Sequence, residues 1–198
     1  MNMKYFSYGL GEHQATELAD NYATGIKTMY PISYCVKRVL GDSFERIAEV
    51  SNTPIFRQAV IPSANLMGTA EEMSRFYQML LNNGVWEGKQ ICQPMTVRTL
   101  TREQGSLEFD RTLMIPMRYS AGMMLGASPA GLWGQHSAQA FGHIGLINKL
   151  LWADPERDIA VSLVNTGLPL VANHMPSLFN FMANINKHCS RNNTDSEI

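Results

Sequence analysis

The sequence is poor in charge and has no excess of either sign. Lys and Arg together number 16 and Asp and Glu 17, which leaves a net charge of −1 over 198 residues. Charged residues make up only 17% of the chain and apolar residues 45%, whereas disordered chains combine low apolar content with high net charge. A folded chain without a basic surface attracts phosphate weakly, so we expect no nucleic-acid partner.

Cysteine is scarce, and the sequence lacks the spacings that hold metals and cofactors. Cys35, Cys92 and Cys189 lie far apart and form no C-x-x-C pair, which argues against a disulfide framework or a zinc site and predicts small buried thiols. The five histidines show neither H-x-H nor H-E-x-x-H spacing, and no complete glycine-rich phosphate motif is present. We therefore expect no metal and no cofactor.

Long apolar runs are also missing. No stretch approaches the roughly 18 apolar residues of a membrane-spanning helix. The N-terminus has no apolar segment behind a basic start, so it does not read as a secretory signal. We expect no membrane segment, and the cytoplasm is the default location.

Two helices are predicted in the middle of the chain. Thr69 followed three residues later by Glu72 forms a capping box, and apolar residues then recur at helical spacing, which predicts a helix over 70–82. Pro94 favours the first position of a second helix, within a helical region reaching about residue 103. Residues 1–68 are interrupted by Gly and Pro and are expected to be irregular, with weak strands over 32–36 and 56–61.

The last third of the chain predicts strands and a closing helix, over about 117–188. Residues 118–125 suit one buried strand, and 126–139 suit a loop. The apolar runs 146–153 and 159–165 flank a short Pro-containing turn, which is typical of an antiparallel hairpin. An amphipathic helix over 170–188 is placed to cover it, before a disordered tail over 189–198. The fold class is α+β, with one face of the sheet short of partners.

One segment carries a chemical signal. Residues 141–145 read Phe-Gly-His-Ile-Gly, so that two glycines flank His143 at the start of a predicted strand. Glycine within a strand indicates a bend, or the close approach of another backbone or a ligand.

This segment resembles the third motif block of the serine β-lactamase and penicillin-binding-protein superfamily, and is most similar to esterase-like and class C-like members that carry H-x-G in place of K-T-G. The similarity continues through Leu-Trp-Ala-Asp-Pro-Glu-Arg at 151–157 and Ala-Val-Ser-Leu-Val-Asn at 160–165. Upstream, residues 61–65 and 68–77 resemble the loop and helix that precede this block. The resemblance spans most of residues 3–185 and implies one partial domain over 1–188.

The resemblance implies an acyl-transfer enzyme acting on a small-molecule ester or amide, through a nucleophilic Ser and a Lys in S-x-x-K and a Tyr in Y-x-N. It places His143 in the wall of the active site and lets substrate lie against Gly145. The backbone N–H of Leu146 would be one of two oxyanion donors. Ile144 replaces the hydroxyl residue of K-T-G, which favours ester hydrolysis over β-lactam recognition.

The two other motifs are missing. No Ser has Lys three residues on and no Tyr has Asn two residues on, with Tyr119-Ser120-Ala121 as the nearest miss. The S-x-N letters at 63–65 fall outside the family's placement and are read as chance. We therefore expect no nucleophile here: the chain reads as a C-terminal half, lacking the N-terminal half and inactive alone. The alternatives are a hydrolase completed by another chain or using a different serine, and a non-catalytic binding module.

Overall fold

The structure is a computed structural model that describes residues 1–27, 29–62, 64–111, 115–145, 149–169 and 174–192. Its helices are α1 (Glu12–Ala15), α2 (Ile32–Leu40), α3 (Phe44–Ser51), α4 (Pro54–Gln58), α5 (Ala70–Leu81), α6 (Pro94–Thr101) and α7 (Met175–His188). Its strands are β1 (Tyr22–Thr24), β2 (Val85–Trp86), β3 (Lys89–Gln90), β4 (Glu108–Asp110), β5 (Ile115–Tyr119), β6 (Met124–Leu125), β7 (Ala130–Gly131), β8 (Gly134–Gln135), β9 (Phe141–Gly145), β10 (Lys149–Asp154), β11 (Ile159–Leu163) and β12 (Gly167–Pro169).

Six of the strands form one sheet, in the order β11-β10-β9-β6-β5-β4. Every neighbouring pair is antiparallel, so the predicted α+β class is confirmed. The predicted hairpin is confirmed as β10 and β11, although residues 146–148 lie outside the described part of the chain. The segment at 141–145 is a strand of its own, because it pairs with β10 along its whole length.

The two faces of the sheet bury different clusters. Tyr77, Met79 and Leu80 of α5 pack with Phe141 and Ala153 on one face. Leu178 and Met182 of α7 pack with Leu150 and Trp152 on the other, as an amphipathic closing helix should. The alternation of side chains along β10 explains this division, since neighbouring residues of a strand point to opposite faces.

The start of α5 follows the predicted capping box. Thr69 Oγ1 accepts a hydrogen bond from Glu72 N at 3.1 Å, and a Glu72 carboxylate oxygen accepts one from Thr69 N at 3.0 Å. The other carboxylate oxygen of Glu72 accepts a bond from Tyr5 N at 2.9 Å. Burial would raise the pKa of Glu72, but these backbone donors outweigh it and hold the pKa below its ordinary value. The cap therefore also fastens the N-terminal segment to α5.

Both strands predicted in the first third of the chain are wrong. Residues 32–36 lie within α2, and residues 56–58 end α4. The sequence does carry the signals for α4, because Thr53 followed by Pro54 is typical of a helix start. In the structure Thr53 accepts a hydrogen bond from Phe56 N, and Pro54 lies in the first turn. The region predicted as irregular therefore holds four short helices.

Three further expectations need correction. Residues 118–125 are not one strand, because the chain turns through Ser120 to Met123 and pairs β5 with β6 as a hairpin. The predicted loop over 126–139 contains the small β7–β8 hairpin. The thiols are not all buried either, since Cys35 is exposed and Cys92 and Cys189 are half-buried. Within the described ranges, no helix is long and apolar enough to cross a membrane.

A buried ion pair closes the turn between β10 and β11. Arg157 Nη1 donates to Asp154 Oδ2 at 2.6 Å, and the two side chains are only 4% and 1% exposed. The same guanidinium donates to the backbone carbonyls of His136 and Gln135 at 3.1 and 3.2 Å. The Asp-Pro-Glu-Arg turn thereby joins the hairpin to the β8 segment.

Replacing Arg157 by Met should destabilise the protein by about 3–5 kcal/mol, because it leaves the Asp154 carboxylate buried without its partner. Chemical denaturation measures the change. The matched control is Arg46→Met, which breaks the exposed Arg46–Glu49 pair and should cost no more than about 1 kcal/mol. Equal losses in the two variants would contradict this role for the turn.

Candidate functional site

Strand β9 has one paired edge and one edge that is only partly paired. All five residues of β9 pair with β10, with Gly145 opposite Lys149 and His143 opposite Leu151. On the other edge β6 pairs only with Phe141 and Gly142. No strand of the described chain pairs with residues 143–145 on that side. An extended ligand can therefore hydrogen-bond to this stretch of backbone.

His143 stands beside this open edge. It lies on the same face of β9 as Phe141, whose ring centroid is 6.4 Å from that of Tyr77 in α5. The imidazole itself is exposed, and in the described part of the chain no side chain or carbonyl is hydrogen-bonded to it. The structure thus places His143 on the face of the sheet that also carries α5, with both ring nitrogens available.

The two glycines around His143 have different physical reasons. A Cβ at Gly142 would lie 2.2 Å from the Leu151 carbonyl oxygen and 2.5 Å from Trp152 Cβ, so glycine is required there by the packing of β10. A Cβ at Gly145 would meet nothing closer than Lys149 Cβ at 3.4 Å, which is an ordinary contact. The chain's own packing therefore does not demand glycine at 145.

Two residues of the motif remain, Ile144 and Leu146. Ile144 is half-buried and packs against the cluster that contains Trp152, on the face opposite His143. Its contribution is therefore to the core beneath the strand. Leu146, assigned an oxyanion N–H by resemblance, lies outside the described residues.

Tyr119, the nearest miss to the family's tyrosine, is unsuited to act as a base. Its hydroxyl donates a hydrogen bond to Asp110 Oδ2. Burial, together with this carboxylate, raises the pKa of Tyr119 to about 12, and a phenol that holds its proton so firmly cannot accept another near neutral pH. Ser120 is equally engaged, because its Oγ donates to the Leu100 carbonyl and accepts from Met123 N.

Asn65, the last letter of the S-x-N sequence, has a structural role. Its side chain is buried, and its amide donates to the carbonyls of Phe56 and Ala59 at 2.7 and 2.8 Å. Its oxygen accepts from Ile61 N at 3.0 Å. The side chain thus uses its hydrogen bonds on the backbone between α4 and α5.

A Ser–His contact elsewhere does not form a catalytic pair. Ser128 Oγ lies 3.4 Å from His136 Nδ1, and both residues are exposed. Catalytic pairs need a third group that orients the imidazole, and none of the described carboxylates bonds to His136. Likewise, among the described residues no three His, Cys, Asp or Glu side chains come together as metal ligands.

Lys149 is a further candidate residue, and it belongs to none of the sequence motifs. It is the first residue of β10, half-buried, and opposite Gly145. The sequence gives little signal for it, because β10 begins and ends on a charged residue, Lys149 and Asp154, and the place of Lys149 beside Gly145 depends on the strand register.

Comparisons with known proteins show the family and the fold of this chain. The family model described as Beta-lactamase matches residues 7–176. Esterase/beta-lactamase LipL of Mycobacterium tuberculosis is 33% identical over 127 residues, which are 63% of this chain and 28% of that protein.

Solved structures share the fold. A penicillin-binding-protein homologue from Caulobacter crescentus superposes with a TM-score of 0.68 at 22% identity, covering 90% of this chain and 47% of that one. A family VIII carboxylesterase gives a TM-score of 0.66 at 20% identity, covering 94% and 47%. EstA from Arthrobacter nitroguajacolicus Rue61a gives 0.62 at 23%, covering 92% and 50%. The chain thus spans about half the length of these structures, and less of the curated relative.

The contrast between the two glycines is testable. Gly142→Ala should destabilise the protein by about 3 kcal/mol, because the new Cβ forces β9 away from β10. Gly145→Ala should change stability by less than about 1 kcal/mol, because the methyl group fits and alanine costs less chain entropy. Urea unfolding of the two variants compares them directly. A large loss in Gly145→Ala would show that residue 145 is glycine for packing.

Proposed function

The chain belongs to the beta-lactamase family, and from that premise we propose that it forms the C-terminal half of a serine acyl-transfer domain that hydrolyses small esters or amides. In this proposal the chain supplies one wall of the active site, and a polypeptide outside residues 1–198 supplies the nucleophilic serine, its lysine and the tyrosine. The chain alone is inactive.

The observation that carries this proposal is the open edge of β9 next to His143, in a sequence without S-x-x-K or Y-x-N. An acyl group can lie along residues 143–145, where Gly145 presents no side chain to it. His143 would border the reacting carbonyl, and the N–H of Leu146 would stabilise the developing oxyanion as one of two donors. Without an activated hydroxyl, these parts bind and orient but do not turn over.

The outer edge of β11 supports the proposal that another polypeptide completes the domain. Strand β11 forms an edge of the sheet, and of the described strands none pairs with its outer side. All five β11 residues are half-buried, and natural proteins seldom leave such an apolar edge open. We expect the completing polypeptide to add a strand there.

The N-terminal helices leave apolar side chains in solvent as well. No residue of α2 is buried, although a helix of this kind is stabilised mainly by packing one apolar face. Eight apolar side chains in this region are each more than half exposed: Tyr22, Ile26, Met29, Tyr30, Tyr34, Val39, Ile55 and Val60. Exposed apolar side chains in such number are typical of a protein interface, and the same completing polypeptide would cover them.

A fluorophosphonate probe tests whether the chain holds its own nucleophile. We expect the purified chain to keep its intact mass after incubation, because no serine of the chain has a lysine at the family spacing. One stoichiometric adduct that a single Ser→Ala substitution abolishes would contradict the proposal and show an active hydrolase.

A fusion tests the completing half. The part of LipL that precedes its aligned segment is joined ahead of residue 1, and the adduct should then map outside this chain's residues. Gly145→Val in the fusion should slow labelling about 10²-fold, because displacing the acyl group by about 1 Å has that effect. Gly11→Val is the control, since a Cβ there meets nothing closer than 3.9 Å. Equal labelling rates in the Gly145→Val and Gly11→Val fusions would show that β9 does not line the active site.

A further inference from the structure

Lys149 shares a face of the sheet with His143. It pairs with Gly145, and the next residue of β10 on that face, Leu151, pairs with His143. Side chains placed diagonally in this way on antiparallel strands lie about 7–8 Å apart at the backbone, within reach of a long side chain.

The lysine stem lies against Gly145. The position of a Cβ on Gly145 is 3.4 Å from Lys149 Cβ and 3.9 Å from Lys149 Cδ. The aliphatic stem therefore occupies the surface of β9 that a side chain at 145 would otherwise cover. Its ammonium group is carried onto the same face as His143.

The charge of Lys149 is not compensated within the described chain. The other five lysines, Lys4, Lys27, Lys37, Lys89 and Lys187, are all exposed and can be hydrated. The least exposed arginines are paired: Arg57 with Asp20, Arg118 with Glu103 and Arg157 with Asp154. Lys149 is half-buried, and no carboxylate, carbonyl or hydroxyl of a described residue bonds to it. Partly buried charges normally have a partner.

We propose that Lys149 is an anion-recognition residue, whose ammonium binds a compact carboxylate on a ligand lying along residues 143–145. This rests on the proposed function in one respect, the assignment of that stretch as the place where substrate lies. It makes a carboxylate-bearing ester or amide the favoured substrate class. Because Ile144 packs into the core on the opposite face, Lys149 and not residue 144 is placed to contact a carboxylate beside Gly145.

The ionisation of Lys149 gives the binding a pH dependence. Burial disfavours the ammonium form and lowers the pKa of Lys149 below its ordinary value. Among the described residues, the titratable groups that share this face are His143 of β9, Tyr77 of α5, Cys92 and the amino terminus at Met1, and none of them is a carboxylate. A bound carboxylate favours the ammonium form and should raise the pKa again. Binding should therefore weaken as the pH rises through the lowered pKa.

The test is a titration of the ¹⁵N-labelled chain with succinate, followed by NMR. The amides of residues 143–145 and 149 should shift saturably with succinate and not with the neutral analogue succinamide. Lys149→Gln should weaken binding at least about tenfold, because it removes one charge-assisted hydrogen bond, and Lys149→Arg should retain it. Lys89→Gln is the matched control at an exposed lysine. Equal affinity in Lys149→Gln, or equal response to succinamide, would overturn the proposal.

A second readout uses only the unaltered protein, so it holds even if Lys149→Gln fails to fold. The ¹³Cε signals of the six lysines are followed against pH with and without succinate. Lys149 should titrate at the lowest pH of the six, and its pKa alone should rise on adding succinate. An unchanged pKa would contradict the proposal. Because neither titration requires turnover, a failure of the fluorophosphonate experiments would overturn the proposed function and leave this result readable.

Discussion

The close approach of β9 and β10 at Gly142 is the contact on which the rest of the structure depends. It lets Trp152 lie directly against the β9 backbone, where its ring stacks on Trp133 at 5.5 Å between centroids. Trp133 and Trp152 are fully buried, and α7 packs over them with Leu178 and Met182. Stacked aromatic rings bury a large apolar area. A side chain at 142 would force β9 away from β10 and so displace His143.

Local sequence signals decide which parts of the fold could be predicted. The capping box of α5, the proline at the start of α6 and the β10–β11 hairpin are local signals, and each predicted its element. The helix α2 was missed although its apolar residues recur at helical spacing, because a short apolar run with β-branched residues between Pro31 and Gly41 suits a strand as well. The turn at Ser120 was missed because small apolar residues at 118–125 suit a strand and a tight hairpin equally.

Only part of the candidate site could be predicted, because the rest depends on which residues the strand register brings together. Spacing singled out His143 and its two glycines, but it could not distinguish a glycine required by Trp152 from one that leaves space for a ligand. That difference depends on β10, which the register brings alongside. Lys149 was overlooked for the same reason: its importance comes from the residue opposite it, not from its neighbours in sequence. The bond from Tyr119 to Asp110 likewise joins two strands and has no signature in either one.

The order of strands along the chain has a consequence for how the protein acquires its structure. Strands β9, β10 and β11 follow one another as a meander, so their pairing closes only short loops and loses little chain entropy. Helix α5, which packs on β10 and β11, comes from a distant part of the sequence and docks at a greater entropic cost. Local contacts form faster than distant ones. The segment that carries His143 is therefore expected to assemble early in folding, before the α5 face of the sheet is covered.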